Sequence, residues 1–147
     1  QVVIAGNREA VEQTCELASA AGARRAILLP VSVPSHCALM KPAAERLSKR
    51  LQELDLGEAD TPVIQNADVQ AHTTREARID ALSRQLFQPV RWTETILALK
   101  AQGIHRFVEC GPGKVLAGLN RRISRESETI VLIDPDSMEL AVDGGTS

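Results

Sequence analysis

Ala26-Ile27-Leu28-Leu29-Pro30-Val31-Ser32-Val33-Pro34-Ser35-His36-Cys37 is an apolar run that empties into a loop holding two prolines, two serines and one histidine. The run has strand character, and the residues beyond it have the periodicity of an amphipathic helix. The stretch therefore marks a strand-to-loop-to-helix junction. Pro30 and Pro34 each fix φ at about −65° and push the preceding residue toward extended geometry, so the loop is held in one shape before anything binds. Of the three histidines only His36 has this setting, and imidazole is the side chain suited to general acid–base work near neutral pH. A histidine at a strand end is also an ordinary cap or loop residue, and position alone leaves both roles open.

Upstream, Gln1 to Ala5 reads as a strand ended by Gly6. Asn7 is a good N-cap, Glu9 suits the positive end of the helix dipole, and Gly22 supplies a stop. Between them Val11, Cys15, Ala18 and Ala21 recur at helical spacing. Strand–helix–strand is thus predicted within the first 31 residues. The chain opens on a strand pattern with no methionine, which raises the expectation that it is the later part of a longer polypeptide.

Downstream, Pro42 sits near a helix start. Met40, Ala44, Leu47, Leu51 and Leu54 follow along one face, with Glu45, Arg46, Lys49, Arg50 and Glu53 on the others. Val63 to Asn66 reads as a short strand and Gln70 to Arg75 as a polar loop. Ile79, Leu82 and Leu86 mark a helix that Pro89 must end. A further helix runs from Trp92 or Thr93 to Gln102 and stops at Gly103. Arg106 to Cys110 is a strand that feeds Gly111-Pro112-Gly113-Lys114 and another helix with Val115, Leu116 and Leu119. Thr129 to Ile133 is the last strand, and the tail from Asp134 is polar and expected to fray. This alternation predicts an α/β architecture with a mainly parallel sheet.

The 147 residues have the size of one ordinary domain with enough apolar content for a core, and the net charge of −2 is mixed in sign along the chain. No basic face points to nucleic acid, and no apolar run approaches the roughly 20 residues of a spanning helix. Three widely spaced cysteines without C-x-x-C suggest reduced thiols and a cytoplasmic protein. No pair of histidines has metal-ligand spacing, so neither metal nor cofactor is expected.

Three patterns invite chemistry and are better explained otherwise. Gly111-Pro112-Gly113-Lys114 could present amides to a phosphate, yet it fits neither G-x-x-x-x-G-K-[ST] nor G-x-G-x-x-G, and a tight turn explains it. No serine has the flanking glycines of G-x-S-x-G. Cys37 adjoins His36, but neighbours in sequence rarely face each other for proton transfer, and packing is expected for Cys37 and Cys110 alike. His72 is expected to be solvated in a polar loop.

Ser32-Val33-Pro34-Ser35-His36-Cys37 followed by Ala38-Leu39-Met40-Lys41-Pro42, together with Gln1 to Gly6, Gln85 with Pro89-Val90 and Trp92, and Glu109 to Leu116, resembles the malonyl-CoA:acyl carrier protein transacylases, in order and up to about Ile133. The resemblance implies an α/β-hydrolase-like acyltransferase core with an inserted ferredoxin-like subdomain. Residues 1–31 would be the second β-α-β half of that subdomain, and 32–147 the C-terminal part of the core. It implies a ping-pong transfer of malonyl from coenzyme A, through a serine ester, to the phosphopantetheine thiol of acyl carrier protein in fatty acid synthesis. His36 matches the histidine that takes the serine's proton, and Gln85 the residue whose backbone carbonyl orients it. Since a carbonyl survives substitution, the Gln85 side chain is expected to matter little. Ser35 stands where related acyltransferases vary with the acyl unit. The serine and the arginine for the malonyl carboxylate fall in the amino-terminal half, absent from these residues, so malonyl-CoA, acyl carrier protein and that half are the implied partners. Two other readings remain: an acyltransferase domain of a polyketide synthase, and a non-catalytic interaction module.

Overall fold

A computed structural model describes residues 2–143. The chain divides into two compact units, Gln1–Val90 and Arg91–Ser147. Helix and sheet are mixed in both, as an α/β sequence predicts.

In the first unit, α1 (Arg8–Ala20) begins after Asn7, whose extended backbone suits an N-cap although its side chain makes no capping bond. The helix ends as predicted at Gly22. Its φ of +88° lets the Ala23 and Gly22 amides turn back onto the Ala18 and Ser19 carbonyls at 2.9 and 3.1 Å. The two strands expected on either side of α1 are not formed. Residues 2–5 and 26–29 have no strand assignment, and Gln1 lies outside the described residues. Strands exist only as hydrogen-bonded pairs, and among the described residues neither segment has a partner. Their side chains stand open to solvent, Val2 at 89% and Ile27 at 54%.

A short 3₁₀ turn (Ala38–Met40) leads into α2 (Lys41–Glu53), with Pro42 in the first turn where its missing N–H costs nothing. Ala44 is the buried centre of the apolar stripe, and the charged residues of the other faces are exposed. β1 (Ile64–Gln65) pairs antiparallel with β2 (Gln70–Ala71), in the register Ile64↔Ala71 and Gln65↔Gln70. Part of the polar segment expected to be loop is therefore strand: the turn between them returns the backbone so that Gln70 meets Gln65. α3 (Arg75–Arg84) starts at Thr74, whose hydroxyl accepts the Ala77 amide at 3.3 Å, and packs on α2 with Ile79 and Ala81 buried.

In the second unit, α4 (Trp92–Ala101) buries Ile96, 1% exposed, and ends at Gly103 with φ +87°. β3 (Arg106–Cys110) and β4 (Glu128–Leu132) are parallel, in the register Arg106↔Glu128 through Cys110↔Leu132. α5 (Val115–Ile123) connects them, the crossover that parallel strands require. As far as Asp143 the polar tail does not fray as expected, and 144–147 lie outside the described residues. Pro135–Asp143 is a helix, α6, packed on β4. The Asp134 carboxylate accepts the Ser137 amide at 2.8 Å, and the Ser137 hydroxyl accepts the Ile133 and Asp134 amides at 3.1 Å. That reciprocal cap nucleates the helix, and the amide bond holds the Asp134 carboxyl below its ordinary range. Among the described residues there are two two-stranded sheets, β1–β2 and β3–β4, instead of one mainly parallel sheet.

Candidate active site

Pro30 and Pro34 shape the loop that carries His36. Val31 N–H donates to the Leu29 carbonyl at 2.8 Å, and Ser35 N–H to the Val33 carbonyl at 2.9 Å. Each bond closes a three-residue turn centred on a proline, whose locked φ matches the inverse γ geometry. His36 then adopts φ +64°, the left-handed region. Histidine tolerates that region better than most residues, still at a cost of about 1–3 kcal/mol.

Two consecutive carbonyls at the end of α3 hold this strained residue. His36 N–H donates to Leu86 O at 2.9 Å, and ring Nδ1 lies 2.8 Å from Gln85 O. The last carbonyls of a helix have no partner inside it, so the end of α3 and the residue after its cap present acceptors where the loop brings donors. A carbonyl oxygen can only accept. Nδ1 therefore carries the proton, and Nε2 keeps its lone pair. Among the described residues Nε2 has no hydrogen-bond partner, and the ring is exposed. The negative end of α3 also faces the ring, where a cation forming on it is favoured.

His36, Ser35, Gln85, Met40, Leu51 and Leu86 line a cleft of about 350 Å³. All three residues singled out in the sequence thus meet in one place, with an apolar wall from α2 and α3. Sequence reasoning missed the environment of Gln85. Its side chain is bonded to Gln65 and Asn66 of the β1–β2 hairpin, and no motif announces that pairing. It also missed His72, which is half-buried with Nε2 3.0 Å from Asp68 rather than solvated. Asp68 further accepts from Arg84 Nη2 at 2.6 Å. Desolvation pushes the Asp68 carboxyl up, but the Arg84 and His72 bonds together outweigh it and hold the carboxyl below its usual range. Asp68 and Asp80 in turn hold Arg84 more firmly in its charged form.

The remaining candidates separate from the site. Cys37 Sγ–H donates to Pro34 O at 3.1 Å and is half-buried, a loop-closing contact. Cys110 is exposed, which corrects the packing expectation: it ends β3 on the face away from cover. At Gly111–Lys114 the first amides of α5 are already occupied. Glu109 accepts from Leu116 N–H at 3.0 Å and Ala117 N–H at 2.8 Å. A carboxylate from the preceding strand thus fills the place a phosphate would need.

A proline-braced histidine, protonated on Nδ1 by contact with a carbonyl and open at Nε2 beside a cleft, has the geometry that general-base work requires. The chain is 48% identical over 143 residues to the malonyl CoA-acyl carrier protein transacylase of Escherichia coli, and 46% identical over 142 residues to that of Bacillus subtilis. Each match covers 97% of this chain but only 46% and 45% of the relative, so the chain spans about half the length of the curated relatives it matches. A malonyl-transacylase solved in complex with a type II polyketide acyl-carrier protein superposes with a TM-score of 0.91 at 45% identity, over 95% of this chain and 45% of that one. An acyl carrier protein S-malonyltransferase from Vibrio cholerae gives 0.88 at 50% identity, over 92% and 44%. No family model matches. The chain is thus a homologue of the C-terminal portion of the malonyl CoA-acyl carrier protein transacylases.

Proposed function

We propose that this chain supplies the general base for transfer of a malonyl group from coenzyme A to the phosphopantetheine thiol of acyl carrier protein in fatty acid biosynthesis. The nucleophilic serine and the carboxylate-binding arginine come from the amino-terminal half of the same enzyme. The observation that carries this reading is the 2.8 Å contact from His36 Nδ1 to Gln85 O, which leaves Nε2 basic.

The chemistry follows. Nε2 takes the serine hydroxyl proton as the oxygen attacks the malonyl thioester carbonyl. The imidazolium returns that proton to the departing coenzyme A sulfur, leaving a malonyl–serine ester. The carrier thiol then gives its proton to Nε2 and attacks the ester, and the serine oxygen leaves with the proton from the ring. A neutral carbonyl behind the ring steadies imidazolium less than a carboxylate would. The end of α3 contributes in part what the missing charge does not. In this reading residues 1–31 belong to a ferredoxin-like subdomain and 32–147 to an α/β-hydrolase-like core. Ser35 borders the acyl pocket, and the enzyme works in the cytoplasm without cofactor or metal.

The polyketide carrier in the superposed complex favours one second reading, in which the acceptor is a polyketide acyl carrier protein. Offering both carriers in competition separates the two. The test of the main reading uses the full-length polypeptide that carries this chain. With radiolabelled malonyl-CoA, label retained on the protein measures acylation, and His36→Ala should slow it by about 10²–10⁴-fold. An unchanged rate refutes the assignment.

A further inference from the structure

The usefulness of His36 depends on where Gln85 O points, and Gln85 sits at a helix end, where backbones fray. It is the C-cap of α3, with φ −57° and ψ −26°. Something must hold that residue still, and the hairpin across from it has the right contacts. Gln85 Nε2 donates to Gln65 Oε1 at 2.7 Å. Gln85 Oε1 accepts from both the backbone N–H and the side-chain Nδ2 of Asn66, each at 3.4 Å. Gln65 is only 6% exposed, an uncommon place for an amide unless it is bonded. One residue earlier on α3, Arg84 is tied to the same hairpin turn through Asp68 at 2.6 Å.

The turn itself is built at a cost. Residues 66–69 are closed by Val69 N–H to Gln65 O at 2.9 Å, with Val69 at φ +62°. A β-branched residue in that region is a true outlier, and such strain persists where surrounding contacts impose it. The hairpin has two residues in each strand, too little to justify the strain by its own pairing. What the turn achieves is placement: it aims Gln65, Asn66 and Asp68 at the last turn of α3.

We propose that the β1–β2 hairpin is a brace for the catalytic histidine, with Gln65 and Asn66 acting as positioning residues that fix Gln85 and, through its carbonyl, the Nδ1–H form and orientation of His36. The inference rests on the reading of His36 as the base. It departs from the expectation that the Gln85 side chain is dispensable: the carbonyl survives substitution, but the clamp that aims it does not. Without the brace the proton is free to settle on Nε2, where it blocks the base, and the ring is free to turn. Neither change touches substrate binding, so the loss falls on kcat rather than KM.

The test uses the full-length polypeptide and three variants: Gln65→Leu, Gln85→Leu and the double variant. Each single variant strands the other amide without its partner. The double variant removes both ends of the Gln65–Gln85 bond and cancels that part of the penalty, while the two Asn66 donors stay without their acceptor, so its stability returns only part of the way toward the parent's. Acyl-enzyme formation should fall about tenfold in all three, which corresponds to losing roughly one hydrogen bond's worth of positioning. KM for malonyl-CoA should be unchanged in Gln65→Leu, whose side chain lies outside the cleft. A double variant that regains both stability and kcat would show a structural role only and overturn the brace. In parallel, ¹⁵N shifts of the His36 imidazole in the unaltered protein should place the proton on Nδ1; a proton on Nε2 overturns the proposal without any variant having to fold. His36→Ala separates the two claims. If it leaves the rate unchanged, the base assignment fails. If it slows the rate while the three variants do not, the brace alone fails.

Discussion

Removing the Glu109 carboxylate should loosen the start of α5, and the size of the effect can be worked from two distances. Leu116 and Ala117 are the second and third residues of α5, the positions whose amides an N-cap side chain normally satisfies. The residue at the cap itself, Lys114, makes no such bond. Glu109 does the work from the end of β3, one oxygen on each amide at 3.0 and 2.8 Å. An ordinary cap contributes about 0.5–2 kcal/mol, and a negative charge at a helix start adds about 0.3–1 kcal/mol. Glu109→Ala should therefore cost about 2 kcal/mol at that helix end. Glu109→Gln keeps one acceptor and loses the charge, so about half the effect remains. Amide hydrogen exchange reads this locally: protection at Leu116 and Ala117 should fall by about 30-fold for the alanine variant and by severalfold for the glutamine. Lys114→Ala should change exchange little. If Glu109→Ala leaves both amides as protected as before, the carboxylate does not cap α5, and the case against an anion site at Gly111–Lys114 goes with it.

Other expectations follow from single features. Ile96 is nearly inaccessible, so Ile96→Ala should destabilise the unit of residues 91–147 by about 2–5 kcal/mol, seen as a lower urea midpoint at unchanged slope. The Asp68 carboxyl is held low in the folded state, so its contribution is fully present above the ordinary carboxylate range and is lost as pH falls through its depressed value. Protection of the β1–β2 hairpin amides should accordingly decline on acidification below about pH 4. Asp68→Asn should flatten that decline, and an identical decline in the variant would refute the role of Asp68.

The sequence by itself determined α1 to α5, the βαβ run of the second unit and the histidine whose setting makes it the candidate base. Gly22 and Gly103 end their helices because left-handed φ is a property of single residues. Pro30 and Pro34 signalled a fixed loop for the same local reason. The expected strands at 2–5 and 26–29 did not form because a strand needs a neighbour, and apolar pattern states only the wish for one. The helix at Pro135–Asp143 escaped notice because its start is decided by a three-residue exchange of hydrogen bonds rather than by apolar periodicity. The resemblance pointed to the Gln85 carbonyl, 49 residues from His36 along the chain, but only the tertiary structure could set it 2.8 Å from Nδ1 or show Gln65 and Asn66 gripping Gln85 from 20 and 19 residues away. Hydrogen bonds at such separations are short in space and unmarked in sequence, because amide side chains carry no periodicity of their own and acquire partners only once the backbone has placed them.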